Sequence, residues 1–117
     1  MIKKDGYYIS EAFKSEDWHA GHKFESQDHK ILIFLNNKKI IRDITENQNS
    51  FDINKCISES NSKDTYKIVN NIIEITIDPD SKFSKKREFT ILSPELLLDE
   101  NLVEYHFIPN QKSEFDF

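Results

Sequence analysis

The chain has two glycines, three prolines, one cysteine and no long apolar run, and each shortage removes a class of protein. With so little glycine, a glycine-rich phosphate loop has nowhere to form, so dinucleotide-binding and P-loop NTPase folds are set aside. A single cysteine, Cys56, makes no internal disulfide and gives no argument for secretion. The longest uninterrupted apolar stretch, Ile31 to Leu35, is far too short to span a bilayer. Residues Met1 to Tyr8 include two lysines but lack the apolar run of a signal peptide. Taken as the native start, they predict a soluble cytoplasmic protein. Lys and Arg number 16 against 21 Asp and Glu, and the net charge of −5 argues against nonspecific nucleic-acid binding, which needs clustered cations. Acidity of this kind fits solubility or a basic partner.

What the chain does have is aromatic content and alternation. At 117 residues with 37% hydrophobic and 12% aromatic side chains, it is long enough for one domain with one core and too short for two. The clearest pattern is Tyr66 to Ile77. A two-residue turn at Asn70-Asn71 sets Val69 against Ile72, Ile68 against Ile73, Lys67 against Glu74 and Tyr66 against Ile75. Asn tolerates the positive φ of a type I′ turn, so turn chemistry and register agree. One face then carries Tyr66, Ile68, Ile73, Ile75 and Ile77, and the other the Lys67/Glu74 pair and Thr76.

Other strands follow the same logic. Gly6 to Ser10 alternates, and Lys30 to Leu35 with Ile40 to Thr45 makes a second hairpin. Its register is open between a two-residue turn, Ile33 facing Ile40, and a four-residue turn, Leu35 facing Ile40. Apolar residues on both faces of Ile31 to Leu35 predict a central strand, either covered on two sides or bent between two packed layers. Between them, residues 11–24 predict a short helix or structured loop, with Ser15 as N-cap and Gly21 as stop. Phe51, Ile53 and Ile57, with the residues flanking Cys56, read as a strand. Asp78-Pro79-Asp80-Ser81 is a turn, Arg87 to Leu92 a strand, and Ser93-Pro94 turns the chain into Leu96 to Leu98. Val103, Tyr105 and Phe107 alternate in a last strand closed by Pro109. Residues 1–109 therefore predict a single all-β domain, and residues 110–117 a mobile tail.

Eight or nine short strands at roughly ten-residue spacing predict an antiparallel up-and-down meander that closes into a small barrel, or a strongly curved sandwich, since closure removes exposed edges. Gly6-Tyr7-Tyr8, Phe34 to Ile41, Tyr66 to Ile73 and Tyr105 to Pro109 together resemble small bacterial lipocalin-like, or calycin-like, β-barrel proteins. The Gly-x-Trp signature of true lipocalins is absent, Tyr8 standing where Trp would. The resemblance implies an eight-stranded meander whose interior either holds a small apolar ligand or is filled by side chains.

No catalytic motif stands out, and neither enzyme activity nor a cofactor is expected. His19 and His22, with Asp17, Glu25, Asp28 and His29 nearby, have ligand chemistry for zinc, but Gly21 interrupts any rigid helical presentation, and no metal site is assigned. Cys56 paired with a histidine would be a nucleophile, yet nothing in the sequence brings them together. Lys82, Lys85, Lys86 and Arg87 around Phe83 read as a solvated hairpin loop. The acidic residues are more suggestive as a set. Glu16, Asp17, Glu25, Asp28, Glu95, Asp99, Glu100 and Glu104, with Trp18 as an aromatic anchor, are the candidate contacts for a basic protein partner. The expectation is a non-catalytic binding protein of the immunity or inhibitor type, masking a basic partner such as a toxin. The alternative is a carrier of a small apolar ligand in the barrel interior.

Overall fold

In the computed structural model the described residues are 2–19, 21–46 and 48–110, with 14–19 and 22–26 described by backbone alone. The tail expected over 110–117 lies, beyond Asn110, outside them. The strands are β1 (Gly6–Ser10), β2 (Phe13–His19), β3 (His22–Phe34), β4 (Ile40–Thr45), β5 (Thr65–Val69), β6 (Ile72–Ile77), β7 (Lys85–Ser93), β8 (Leu96–Leu98) and β9 (Glu104–Pro109). Between β4 and β5 lie a 3-10 turn, Gln48–Ser50, and one helix, α1 (Ile53–Glu59). Eight strands form a continuous antiparallel sheet in the order β4-β3-β1-β9-β8-β7-β6-β5, curled into an open half-barrel, while β2 pairs only with β3.

The all-β class stands, but the order is not a simple meander and the sheet does not close. The chain's first and last strands pair in mid-sheet, from Gly6↔Pro109 to Ser10↔Tyr105. The edges are instead β4 and β5, which follow one another in sequence. These edges touch at one corner, a bridge between Lys39 and Thr65 flanked by Ile40 N–H to Asp64 O (3.1 Å) and Tyr66 N–H to Lys38 O (3.0 Å). The cause lies in the connection. Leaving β4, the chain crosses the outer face of the sheet as α1, and it returns along the β4 edge as a loop, where Ser62 Oγ donates to Ile40 O (2.7 Å). A loop thus occupies edge positions that a neighbouring strand would have paired, and it blunts the edge in the same stroke.

The region 11–24 is neither helix nor loop. Strand β2 continues β1 past a bulge: Ile9 faces Ile31 and Phe13 faces Asp28, so residues 10–12 stand opposite only residues 29–30. Buried Ser10 mends the break, its Oγ accepting Lys30 N–H (2.8 Å) and its carbonyl accepting His29 Nδ1–H (2.9 Å). The β2–β3 ribbon then runs on to Gly21, whose φ of 81° suits a tight turn.

The hairpin of β5 and β6 has the register read from its sequence, Val69↔Ile72 through Tyr66↔Ile75. Only its first turn residue, Asn70, has a positive φ (57°), so the turn is not type I′, which needs one at both central positions. For β3 and β4 neither expected register occurs. Phe34 faces Ile40 across a three-residue loop, with Lys38 at a φ of 63° and Leu35 N–H donating to Lys39 O (2.9 Å). Either expected register would have put Ile40 on the face of Ile33 and Leu35, whereas in the structure Ile40 packs with Phe34 and Ile33 lies on the opposite face.

Two cores result. Tyr8, Leu32, Phe34, Ile40, Tyr66, Ile73, Ile75, Phe89, Leu97 and Tyr105 fill the concave side, with edge-to-face contacts of Phe34 to Tyr66 (4.9 Å) and Phe89 to Tyr105 (5.2 Å). On the convex side Tyr7, Ile9, Ile31, Ile33 and Ile41 pack under Ile53 of α1. Strand β3 is therefore covered on both faces, as its unbroken apolar run predicts. Residues 53–59 are helical rather than extended because Asp52 caps them, accepting from Asn54 N–H and Lys55 N–H at 3.1 Å each. Spacing of four between Ile53 and Ile57 fits a helix as well as a strand, and the cap decides it.

Candidate functional site

Much of the half-barrel's hollow is packed with aromatic rings whose hydroxyls are all engaged. Tyr8 Oη donates to Pro94 O (2.5 Å) and accepts Lys3 N–H (2.9 Å), and Tyr66 Oη donates to Leu35 O (3.0 Å). At one end of the sheet the filling stops and leaves an open groove of about 540 Å3. Its apolar floor is Leu32, Ile75, Phe89 and Tyr105, with Arg42 and Lys30 on one wall and Arg87 on the other. The loop from β8 to β9 borders it through Asp99, Glu100 and Asn101.

Asp99 organises that loop. Its Oδ1 accepts Asn101 N–H (2.8 Å) and Val103 N–H (3.0 Å), and Tyr105 Oη donates to the same carboxylate. Burial, then the charge and hydrogen bond of Asp99, push the Tyr105 phenol well above its ordinary pKa. Glu100 accepts Glu88 N–H (3.1 Å), a donor on β7 beyond the reach of the short strand β8. Both residues belong to the expected partner-binding set, and both have structural work within the loop. Glu104 sits beside His106 (3.2 Å), and Glu11 N–H donates to Glu104 O (3.3 Å), so β9 begins where the β2–β3 ribbon leaves the sheet.

This arrangement sorts the remaining candidates. Glu16, Asp17 and Trp18 lie on β2 and Glu25 and Asp28 on β3, in the ribbon leaving the same end of the sheet as the 99–104 loop. For 16, 17, 18 and 25 only the backbone position is described. Glu95 is separate: it lies in the turn before β8, toward the other end, paired with Lys3 at 3.1 Å. Among the described residues no group of three His, Cys, Asp or Glu side chains converges on a metal position, and the side chains of His19 and His22 lie outside that description.

Cys56 faces a carboxylate, not a base. Its thiol donates to Asp43 Oδ2 (3.2 Å), and burial together with that carboxylate pushes its pKa up to about 12. A thiol so held is protonated at neutral pH, the opposite of an activated nucleophile.

Sequence reading missed the floor and walls of the groove. Lys30 and Arg87 are 57 positions apart in the chain, and Arg42 and Asp64 are 22 apart, so no local spacing signals either relationship. Strand alternation does place Ile75, Phe89 and Tyr105 on inward faces, but it leaves the side of Leu32 open, in a strand apolar on both faces, and does not show that the interior is left open beside them. No protein-family model, no curated protein and no solved structure matches the chain.

Proposed function

We propose that this protein works by binding rather than by catalysis, and that its partner is a basic protein surface, as for an immunity or inhibitor protein that restrains a toxin. One observation carries the reading: the ribbon bearing Glu16, Asp17, Glu25 and Asp28 leaves the sheet at the end where β9 starts at Glu104 and the loop bearing Asp99 and Glu100 borders an open groove. Carboxylates gathered at one end steer a cationic partner and set its orientation. Leu102 is 75% exposed in that loop, an apolar side chain offered to a partner beside the carboxylates. Co-purification from the native host, with mass spectrometric identification, tests the idea. A basic partner should be retained at low salt, its association rate should fall steeply with ionic strength, and a Glu16→Lys/Asp17→Lys double variant should weaken it about tenfold or more. Salt-independent binding, or no basic partner, overturns it.

A second reading rests on the groove itself. A volume of about 540 Å3 over an apolar floor lies in the range of small-molecule sites. The half-barrel would then hold a small apolar ligand at its open end, and native mass spectrometry of protein from its own host should retain that molecule.

A further inference from the structure

The floor of the groove is apolar, and its walls carry charge. Lys30 and Arg87 both border it, from β3 and β7 on opposite sides of the concavity. Among the described residues neither is in ion-pair contact with a carboxylate, and the ammonium of Lys30 instead rests over the Phe13 ring at 5.4 Å. The third cation, Arg42, is already neutralised by Asp64 at 2.9 Å. The bordering carboxylates are engaged differently. Asp99 accepts three hydrogen bonds, Glu100 holds Glu88 N–H, and Asp43 takes both Ile44 N–H and the Cys56 thiol. Asp43 also alternates with inward Arg42 and Ile44, which turns it toward α1 on the convex face. Glu88 likewise precedes inward Phe89 and pairs with Glu74, opposite the outward Lys67/Glu74 contact. The anions therefore hold the protein's own donors, while two cations are, among the described residues, left to meet a ligand.

We propose that the groove binds a small amphipathic anion, its apolar body against Leu32, Ile75, Phe89 and Tyr105 and its charged head between Lys30 and Arg87. This rests on the second reading above, that the groove takes a small ligand at all. Guanidinium and ammonium groups recognise carboxylate, sulfonate and phosphate heads alike. An anion with a short apolar body satisfies floor and walls together, whereas a neutral ligand leaves the two cations unused.

Two fluorescent probes separate the two claims, 8-anilinonaphthalene-1-sulfonate and its neutral counterpart lacking the sulfonate, N-phenyl-1-naphthylamine. The folded full chain should bind the sulfonate about tenfold or more tightly than the neutral probe. Arg87→Met and Lys30→Met should each remove most of that preference, leave binding of the neutral probe unchanged, and leave the thermal midpoint within a degree or two. Binding of neither probe would defeat the groove reading itself. Equal binding of both, with no effect of Arg87→Met, would leave the groove as a ligand site and overturn the charge requirement. A sulfonate preference untouched by both substitutions would also overturn it, by locating the anion elsewhere.

Discussion

Arg42 Nε donates to Asp64 Oδ2 at 2.9 Å, and this bond ties β4 to the loop before β5 at the seam where the half-barrel stays open. Asp64 is 6% exposed and serves a second donor, its Oδ1 accepting Asp78 N–H at 3.0 Å. One carboxylate thus joins β4, the entry to β5 and the turn after β6. Replacing it removes the acceptor of a partly buried backbone donor and the partner of an arginine together, and Asp64→Ala should cost about 2 kcal/mol in urea unfolding. Arg42→Met should cost less, about 1 kcal/mol, because Asp64 keeps the Asp78 N–H donor and loses only a half-exposed cation. Equal losses from the two variants would contradict this ranking.

The two glycines predict losses of different size and cause. A Cβ on Gly6 would fall inside contact distance of the Ile108 carbonyl oxygen and 2.8 Å from Pro109 Cα, both backbone of the paired strand β9. Gly6→Ala must push β1 and β9 apart in mid-sheet, and about 2–3 kcal/mol of stability should be lost, lowering the melting temperature by about 10 °C. A Cβ on Gly21 would meet nothing within 4 Å, so Gly21→Ala carries only the strain of its φ of 81°, about 1–2 kcal/mol in a ribbon remote from the main core. Thermal melts of the two variants check the contrast.

Cys56 should be a slow thiol. With its pKa at about 12, the thiolate fraction at pH 8 is on the order of a thousandfold below that of a free cysteine, and alkylation by iodoacetamide should be retarded to match. Asp43→Asn removes a charge that raises this pKa and should speed alkylation several-fold. Wild-type modification at the free-thiol rate under native conditions would refute the assignment.

High pH should unfold the protein through the same groups. Cys56, Tyr7, Tyr8 and Tyr105 all have pKa values raised by burial in the folded state, so above their ordinary values the unfolded chain loses protons that the folded chain keeps. Stability is then lost as pH rises. The Cys56 contribution is complete below about pH 8.5 and is lost through about pH 12. Urea midpoints measured from pH 8 to pH 11 should fall, and Cys56→Ser should reduce the slope.

Local pattern carried much of this fold. The extent of β1, the register of β5 with β6, the turn at Asp78 to Ser81, the short β8 and the stop at Pro109 all follow from alternation and turn chemistry among residues close in the chain. Local pattern failed where two local readings fit the same letters. Phe13 to Phe24 lacks a clean stripe, and what makes it a ribbon is the long β3 already held by β1 and β4. The turn at Asn36 to Lys38 depended on which face of β3 was covered by α1 and which by the concave core.

Composition and periodicity by themselves determined an acidic, antiparallel β protein with a doubly buried central strand, because side-chain alternation and turn preference act over only a few residues. Tertiary structure alone decided that the sheet stays open, since that depends on a loop from residues far along the chain taking the edge of β4 through Ser62 and Asp64. It also decided that Lys30 and Arg87 face one groove while Asp99 and Glu100 are engaged within their loop. Charge is a property of residues one at a time. Whether a charge is free to meet a partner depends on which donors and acceptors the fold brings beside it.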